Sequence, residues 1–245
     1  GVLRGKKAEL VIEEVENPRL LAGSQWWTVL LAGGLLFIAA ALQQAGMRTT
    51  TAANAGFFTG LYVVFVPFLL WIGWRERPAW LLVVSVILAA GGAYLLSTGG
   101  ETFRLHPGDE LELLGAVFWS FHVVVVGKFA PRLDALAFSA GQFAVCGLLN
   151  LVVGVAIEPF DGAILQSFLW PLLYTGLLSV GIGYTLQVWA QRYTPATHAA
   201  LILSAETVLA AFFGYLLLGE ALTAFQLAGC GLILAGIVLA QVKVV

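Results

Sequence analysis

One stretch of sequence decides the fold because it is present twice: LQQAGMRTTTAANA at residues 42–55 and LQVWAQRYTPATHA at residues 186–199. The two copies align at a constant offset of 144 residues (186 minus 42) and share Leu, Gln, Arg, Thr and Ala at matching positions. The register continues without a gap as far as Gly92 and its counterpart Gly236. An internal duplication in a strongly apolar chain is typical of transporter-like membrane proteins.

The composition places the chain in a lipid bilayer. Hydrophobic residues make up 60% of its 245 residues and charged residues only 11%, with a mean hydropathy of +0.93. A soluble domain carries about 25% charged residues. The net charge of −2 provides no basic face for nucleic acid, so no nucleic-acid partner is expected. Cys146 and Cys230 lie in apolar runs and are predicted to be buried small residues, not a disulfide or a metal pair.

Eight apolar segments are long enough to cross a bilayer, which takes about 20 residues. We predict that they are helices, because lipid-facing backbone must satisfy its own hydrogen bonds and these segments do not alternate as barrel strands do. The predicted spans are 26–45, 53–72, 79–97, 111–127, 135–157, 166–189, 197–218 and 222–242. Five glycines are expected to allow close helix contacts on the third and eighth spans: Gly91, Gly92, Gly229, Gly231 and Gly236.

The distribution of lysine and arginine predicts the orientation. If successive connections alternate between the two sides, ten cations fall on one side and only Arg48 and Arg104 on the other. Because cytoplasmic loops carry such an excess, residues 1–25 and the C-terminus are predicted to be cytoplasmic. The protein is then a multi-pass protein of a plasma membrane, the inner membrane in a bacterium. The ten cations are Arg4, Lys6, Lys7, Arg19, Arg75, Arg77, Lys128, Arg132, Arg192 and Lys243.

The two copies are predicted to face opposite ways across the membrane. The first copy covers the three spans of residues 26–97, and the second covers the three spans of residues 166–242. Five spans separate their starts, and an odd number of crossings inverts the second copy. Two further spans precede the second copy, so symmetry predicts two before the first, or about 50 residues. Residues 1–25 are too polar and too short to supply them, and we expect a longer protein.

The repeated runs resemble a known family. LQQAGMRTTTAANAGFFTGLYVVFVP (42–67) and LQVWAQRYTPATHAALILSAETVLAAFFGYLLLGE (186–220) resemble the two EamA-type repeats of the drug/metabolite transporter superfamily. GAVFWSFHVVVVGKFAPRLD (115–134) resembles the first helix of the second repeat. One position departs from the pattern, since Thr207 stands where the family commonly has proline after the glutamate.

The resemblance implies an all-α polytopic membrane protein with ten helices in two inverted five-helix repeats around a central cavity. Eight of those helices are expected in this chain. It implies a cytoplasmic segment at 1–25, an incomplete first repeat of three helices at 26–98 and a second repeat of five helices at 111–245. It also implies transport of small metabolites or drugs, often export, with the bilayer and a small-molecule substrate as partners.

Glu206 is the foremost candidate for the substrate cavity. It lies eight residues after His198, about 12 Å further along the helix, near the middle of the membrane, where ionisable groups usually face a cavity. A carboxyl group there would bind a substrate amine or carry a coupling proton. The alternative is a protonated glutamate that makes a packing hydrogen bond. Its counterpart in the first copy is Tyr62, and Asn54 is the counterpart of His198.

Aromatic and imidazole side chains at mid-helix extend this candidate cavity. Trp119 and His122 lie on the fourth predicted span and Tyr184 on the sixth. Such groups suit a cavity for organic solutes, although lipid contact or core packing is the commoner role for any one of them.

The shared R-x-T-x-A segment is expected to be structural. Thr50 and Thr194 are predicted to cap the following helices, and Pro195 suits the first helical position. The glutamine before each segment either bonds unwound backbone at the helix break or lines the cavity. The predicted structural positions are Gln43, Arg48 and Thr50 in the first copy and Gln187, Arg192 and Thr194 in the second.

The leading hypothesis is a secondary-active carrier that works by alternating access between inverted repeats, driven by a gradient because no ATP-binding motif is present. No enzyme, metal site or cofactor is predicted: the three histidines form no His-x-x-x-His, and no Asp pair or Cys-x-x-Cys occurs. The alternatives are a non-transporting scaffold or receptor, or an inactive fragment of a transporter. The substrate, the direction, the coupling ion and the oligomeric state, a homo-oligomer included, stay open at this point.

Overall fold

The computed structural model describes residues 25–157 and 166–242, and these residues fold as helices joined by short turns. Seven helical stretches are long and apolar enough to cross a membrane, and the shorter apolar helix Ala224–Ala240 occupies the eighth predicted span. The predicted all-α polytopic fold is confirmed. The seven stretches are Trp26–Gly46, Ala52–Trp74, Trp80–Thr98, Asp109–Arg132, Ala135–Ile157, Leu169–Gln191 and Ala196–Leu217.

The α-helices of the described residues are numbered in chain order. They are α1 (Trp26–Gly46), α2 (Ala52–Gly60), α3 (Tyr62–Trp74), α4 (Trp80–Thr98), α5 (Asp109–Phe129), α6 (Ala135–Ile157), α7 (Leu169–Leu173), α8 (Thr185–Gln191), α9 (Ala196–Leu203), α10 (Ala205–Phe213) and α11 (Ala224–Ala240). A 3₁₀ turn at Ala130–Arg132 follows α5. Two π-helical segments, Tyr174–Tyr184 and Gly214–Leu218, lie within the sixth and seventh spans.

The chain divides into two compact units. The first combines the residues up to Phe37 with Val125–Thr194, and the second combines Ile38–Val124 with the residues from Pro195 onwards. Each unit therefore takes segments from both predicted repeats. The helices α1 and α5 contribute to both units.

The first unit is built around the start of α1, the end of α5, and α6. A Cβ atom built on Gly33 would lie 2.6 Å from Cβ of Val145, so only glycine permits this approach of α1 to α6. Asp134 begins α6 as a side-chain cap, because its Oδ1 accepts a hydrogen bond from the backbone N–H of Ala137 at 2.8 Å. The core of this unit is formed by Val29, Ala32, Val125, Val126, Ala130, Leu133, Ala135, Phe138 and Val188.

The outer surfaces of the fifth and sixth spans are apolar. Leu151 is 63% exposed, Trp170 81% and Leu177 63%. An apolar surface that extends over two whole helices would drive aggregation in water, whereas lipid solvates it. These two helices therefore have the surface of membrane spans.

Glycines set the contact between α4 and α11 in the second unit. A Cβ atom built on Gly92 would lie 2.5 Å from the carbonyl oxygen of Gly229, and one on Gly229 would lie 2.6 Å from that of Gly92. Gly236 approaches a carbonyl oxygen of α4 almost as closely, at 2.7 Å. The predicted close contact is confirmed for these three glycines. It is wrong for Gly91 and Gly231, whose Cβ positions meet open space because those helix faces point away from neighbouring atoms.

The second and seventh spans are interrupted at matching positions. Leu61 separates α2 from α3, and Ser204 separates α9 from α10. At the offset of 144, Ser204 pairs with residue 60, so the two breaks agree to within one residue. The N–H of Ser204 bonds to carbonyl oxygens three and four residues back, at 3.2 and 3.1 Å, which tightens the helix there.

The two interrupted spans pack against each other within the second unit. The helices α3 and α9 are in contact and share one apolar core with α4 and α5. The duplicated sequence therefore folds twice into an interrupted helix. The core residues are Val63, Val66, Leu70, Val86, Ala89, Val123, Val124, Ala196, Ala200, Leu201 and Ala240.

Candidate functional site

A buried polar cluster fixes the start of α2 to the start of α5. The side-chain amide of Asn54 donates to Oδ2 of Asp109 at 2.9 Å and to the carbonyl oxygen of Arg104 at 2.9 Å, and it lies 3.1 Å from Nδ1 of His106. Asp109 also accepts hydrogen bonds from the hydroxyl of Thr50 and from the backbone N–H of His106. Asn54 is 7% exposed and Asp109 3%, so both side chains are withdrawn from solvent.

A second carboxyl group lies one helical turn further along α5. Glu112 is fully buried, and its Oε2 accepts a hydrogen bond from the hydroxyl of Thr59 at 3.1 Å. Thr59 in turn accepts one from Nε2 of Gln43 at 3.2 Å. Oε1 of Glu112 has no hydrogen-bond partner among the described residues. Gly46 leaves room for it, since a Cβ atom there would lie 2.7 Å from Oε1.

A cavity of about 670 Å³ opens beside the polar cluster. Asn54 and His106 line it, together with Arg104 and Phe103 from the connection between α4 and α5. Phe103 also belongs to an aromatic group with Phe57, Phe58 and Tyr94, whose ring centroids lie 5.2–5.8 Å apart. The volume is within the range of about 300–1,000 Å³ that is typical of small-molecule sites.

Tyr62 and Glu206 lie immediately after the two helix breaks. Tyr62 is the first residue of α3 and is half-buried against the apolar core, whereas Glu206 is the second residue of α10 and is exposed. A negative charge in the first turn of α10 is stabilised by the helix dipole. Thr207, which stands where the family commonly has proline, donates its hydroxyl to the carbonyl oxygen of Ser204 at 2.8 Å and so bonds back across the break.

The other predicted cavity residues are divided between the units. His198 is half-buried on α9, and its Nδ1 has no hydrogen-bond partner among the described residues. His122 is fully buried on α5, and its ring meets that of Trp119 edge-on at a centroid distance of 6.2 Å. Tyr184 belongs to the first unit, where its ring meets that of Phe143 edge-on at 6.4 Å. The second unit thus holds six of the seven candidates.

The predicted helix caps are wrong by one residue. The cap of α2 is Thr51, whose Oγ1 accepts from the N–H of Asn54 at 3.1 Å. Thr50 does not cap because its hydroxyl is committed to Asp109. In the second copy Pro195 has an extended backbone (φ −56°, ψ 144°) and is itself the residue before the helix. Thr194 therefore lies too far back to cap α9, and Pro195 does not occupy the first helical position.

The paired glutamines bond side chains in the structure. Gln43 donates to Thr59, and Gln187 donates from Nε2 to Oε1 of Gln191 at 3.2 Å. Arg48 is exposed in the turn after α1, and the guanidinium of Arg192 lies 5.9 Å from the ring centroid of Tyr193.

Four residues of the polar cluster and its surroundings escaped the sequence analysis: His106, Asp109, Glu112 and Thr59. The signal was the pattern DELEL at 109–113, in which Asp109 and Glu112 are three residues apart and so lie on one helix face. Glu110, between them, is exposed. Within the described part of the chain, no three His, Cys, Asp or Glu side chains come together as metal ligands would.

Comparison with known proteins identifies relatives along nearly the whole chain. The EamA-like transporter family matches residues 10–98 and 106–241, two regions as expected of two repeats. An uncharacterized transporter of Archaeoglobus fulgidus is 32% identical over 200 residues, which cover 81% of this chain and 63% of the relative. An uncharacterized transporter of Clostridium kluyveri is 26% identical, over 77% of this chain and 62% of the relative. The chain thus spans about three-fifths of the length of these curated relatives.

A solved crystal structure of a protein has the same fold. It superposes with a TM-score of 0.75 at 20% sequence identity, covering 97% of this chain and 82% of the other. The two curated relatives described above are both named as uncharacterized transporters. The repeated broken spans, the two matched regions and these relatives lead to one conclusion: the chain belongs to the EamA-like transporter family, and it is a multi-pass membrane protein of the drug/metabolite transporter superfamily.

Proposed function

We propose that the protein containing this chain is a secondary-active carrier that exports small metabolites or drugs by alternating access between its two repeats. One observation carries the proposal: two copies of one sequence form two interrupted spans that pack against each other in the second unit. In carriers built from inverted repeats, interrupted helices form the substrate site near the middle of the membrane. The packed helices adopt two related conformations, one of which opens the substrate site to one side of the membrane and the other to the opposite side.

The helix breaks supply chemistry that an unbroken span lacks. The backbone at the second break is bonded, since the N–H of Ser204 donates to two carbonyl oxygens and its own carbonyl oxygen accepts from Thr207, so the side chains next to the breaks carry this chemistry. Tyr62 and Glu206 stand directly after the breaks and differ in chemistry, since one offers a phenol and the other a carboxylate. An organic solute with a protonated amine would match this pair, with the ring of Tyr62 against its apolar part and Glu206 against its charge.

Four of the five remaining candidates lie in the same unit as the two breaks, and Tyr184 lies in the first unit. Asn54 and His198 lie in the first turn of each interrupted span. Trp119 and His122 lie on α5, whose residues Val123 and Val124 belong to the core shared by the interrupted spans. The seventh candidate, Tyr184, offers a phenol on the sixth span.

The orientation follows from the positive-inside rule. With ten cations on one side and Arg48 and Arg104 on the other, residues 1–25 and the C-terminus are cytoplasmic. The cavity beside His106 then opens on the non-cytoplasmic side.

Transport by the full-length protein in proteoliposomes tests the function. The panel comprises radiolabelled amino acids, amines and sugars, each measured with and without a pH gradient. Flux of at least one compound class is expected. A well-folded protein that moves none of them would contradict the carrier.

The substitution Glu206→Gln tests the site. It is expected to abolish transport, or its dependence on pH, while the thermal unfolding temperature stays nearly unchanged, because the side chain of Glu206 is exposed. The matched control is Glu110→Gln, an exposed glutamate on α5. Unfolding of the Glu206 variant, with transport intact in whatever remains folded, would assign that residue a packing role instead.

A further inference from the structure

We propose that Glu112 is the site that binds and releases the proton driving transport, held beside the break in the second span. Its role rests on the proposed carrier function, whereas the presence of the proton rests on geometry alone. Glu112 is distinct from the substrate candidates Tyr62 and Glu206, and it was not among the residues that the sequence analysis identified.

The surroundings of Glu112 suit a neutral carboxyl group. The side chain is fully buried, and the single donor to it within residues 25–157 and 166–242 is the hydroxyl of Thr59, at 3.1 Å from Oε2. Oε1 has no partner among the described residues. An ionised carboxylate offers about four acceptor sites and is costly to bury unless they are filled. A bound proton removes that cost.

Asp109, one turn earlier on the same face, shows what an ionised carboxylate needs. It is almost equally buried, yet it accepts from the hydroxyl of Thr50, the amide of Asn54 and the backbone N–H of His106. Two ionised carboxylates one turn apart would also repel each other. The structure therefore distinguishes the two: three described donors stabilise a charge on Asp109, whereas Glu112 has one and is the proton carrier.

Among the described residues, no lysine, arginine or histidine side chain hydrogen-bonds to Glu112. The end of α1 contributes Gln43 and the glycine at 46, and α2 contributes Thr59. The cations of the neighbouring connections, Arg48 and Arg104, are both exposed. A proton, and not a salt bridge, is the means of neutralising this carboxyl group.

A series of polar groups leads from Glu112 towards solvent. Asp109 lies one turn away, its Oδ2 is 4.0 Å from Nδ1 of His106, and His106 lines the cavity of about 670 Å³. The cavity, His106 and Asp109 thus form a route for proton exchange with the side of the membrane onto which the cavity opens.

Thr59 links the protonation state of Glu112 to the interruption of the second span. This residue lies two positions before Leu61, where the second span is interrupted. When Glu112 releases its proton, the new charge requires more donors, and those within reach are the side chains of Thr59 and Gln43. Strengthening these bonds shifts the end of α2 and hence the start of α3 at Tyr62. In the second copy the position matching Thr59 is Leu203, which cannot bond in this way.

Infrared spectroscopy of the full-length protein in lipid tests the proton directly, without any substrate. Wild type is expected to show a carboxylic C=O stretching band at neutral pH that diminishes at alkaline pH. Glu112→Gln should remove that band, and the control Glu110→Gln, at an exposed position on the same helix, should leave it. An unaltered band in the Glu112 variant would overturn the proposal.

A second variant keeps the test decisive if Glu112→Gln fails to fold. Thr59→Val removes the hydroxyl at nearly constant volume, so the C=O of Glu112 loses its donor and the band should move to higher frequency. Thr98→Val is the control, because the hydroxyl of Thr98 bonds to backbone and not to a carboxyl group: it donates to the carbonyl oxygen of Tyr94 at 3.0 Å and accepts from the N–H of Gly100 at 3.5 Å. A band that does not move in Thr59→Val would likewise overturn the proposal.

Transport assays then test the coupling role of Glu112 separately from the carrier function. With a compound that wild type transports, Glu112→Gln should move it at the same rate with and without a pH gradient, while exchange of labelled for unlabelled compound continues. Retained gradient dependence in that variant would overturn the coupling role. If wild type transports nothing, the carrier function has failed, and the infrared band alone still decides whether Glu112 holds a proton.

Discussion

The contact between α4 and α11 predicts opposite outcomes for two neighbouring glycines. Gly92 faces α11, and a Cβ atom there would lie 2.5 Å from the carbonyl oxygen of Gly229 and 2.8 Å from Cγ1 of Ile233. Ordinary contact begins at 3.4 Å, so Gly92→Ala must separate the helices by about 0.9 Å (3.4 minus 2.5). The Cβ position of Gly91 meets nothing within 4 Å.

The free energies follow from these distances. Both alanines gain about 0.5–1 kcal/mol of helix propensity over glycine. Only Gly92→Ala suffers overpacking, which costs about 1–3 kcal/mol. Because the propensity gain cancels between them, the free energy of unfolding of Gly92→Ala should be about 1–3 kcal/mol below that of Gly91→Ala. Gly229→Ala and Gly231→Ala should reproduce the difference on the facing helix.

Unfolding titrations in mixed micelles measure the difference directly, since the two variants share detergent, length and sequence context. The double variant of Gly92 and Gly229 should cost less than the sum of the single variants, because helices that are already separated accommodate the second methyl group. Gly92→Ala and Gly91→Ala variants that agree within about 0.5 kcal/mol, the usual limit of additivity, would refute the glycine-mediated contact.

Two further changes have matched controls. Gly33→Ala should lower the free energy of unfolding by about 1–3 kcal/mol relative to Gly34→Ala. The reason is that a Cβ atom on Gly33 would meet Val145 at 2.6 Å, whereas one on Gly34 would meet open space. Equal free energies of unfolding would refute the close approach of α1 to α6. Asn54→Ala should lower the free energy of unfolding by about 1–3 kcal/mol, because it leaves buried acceptors without their donor. The control Asn150→Ala should be nearly neutral, since Asn150 is exposed and bonds within its own turn of helix. Thermal unfolding measures both variants, and an equal loss of stability in the two would argue against the polar cluster as a fixed structure.

Much of the fold was predictable because membrane spans are defined by local sequence. Each predicted span coincides with a helical stretch, with ends shifted by a few residues. The last helix is shorter than the predicted 222–242 because Thr223 and Gln226 form a capping box that fixes its start. The π-helical segment Tyr174–Tyr184 was not predicted, since an apolar run does not show how its backbone hydrogen bonds are paired.

The candidate site was predicted only in part. Asn54 was identified from its place in the repeated segment, and the structure shows it at the centre of a buried polar cluster. Glu112 was passed over because a glutamate near the end of an apolar run is usually solvated there. Its burial results from Gly46 and Thr59, which are far away in the sequence and become neighbours only through folding.

The sequence by itself determined the number of spans, the repeat, the predicted orientation and the family. These depend on hydropathy, periodicity and charge, which are properties of each segment and of the lipid around it. Only the tertiary structure decided which of two adjacent glycines is a contact and which two of three neighbouring acids are buried. Gly92 differs from Gly91, and Glu112 from Glu110, only in the direction each faces. That direction is fixed by the neighbouring helices and not by the segment to which the residue belongs.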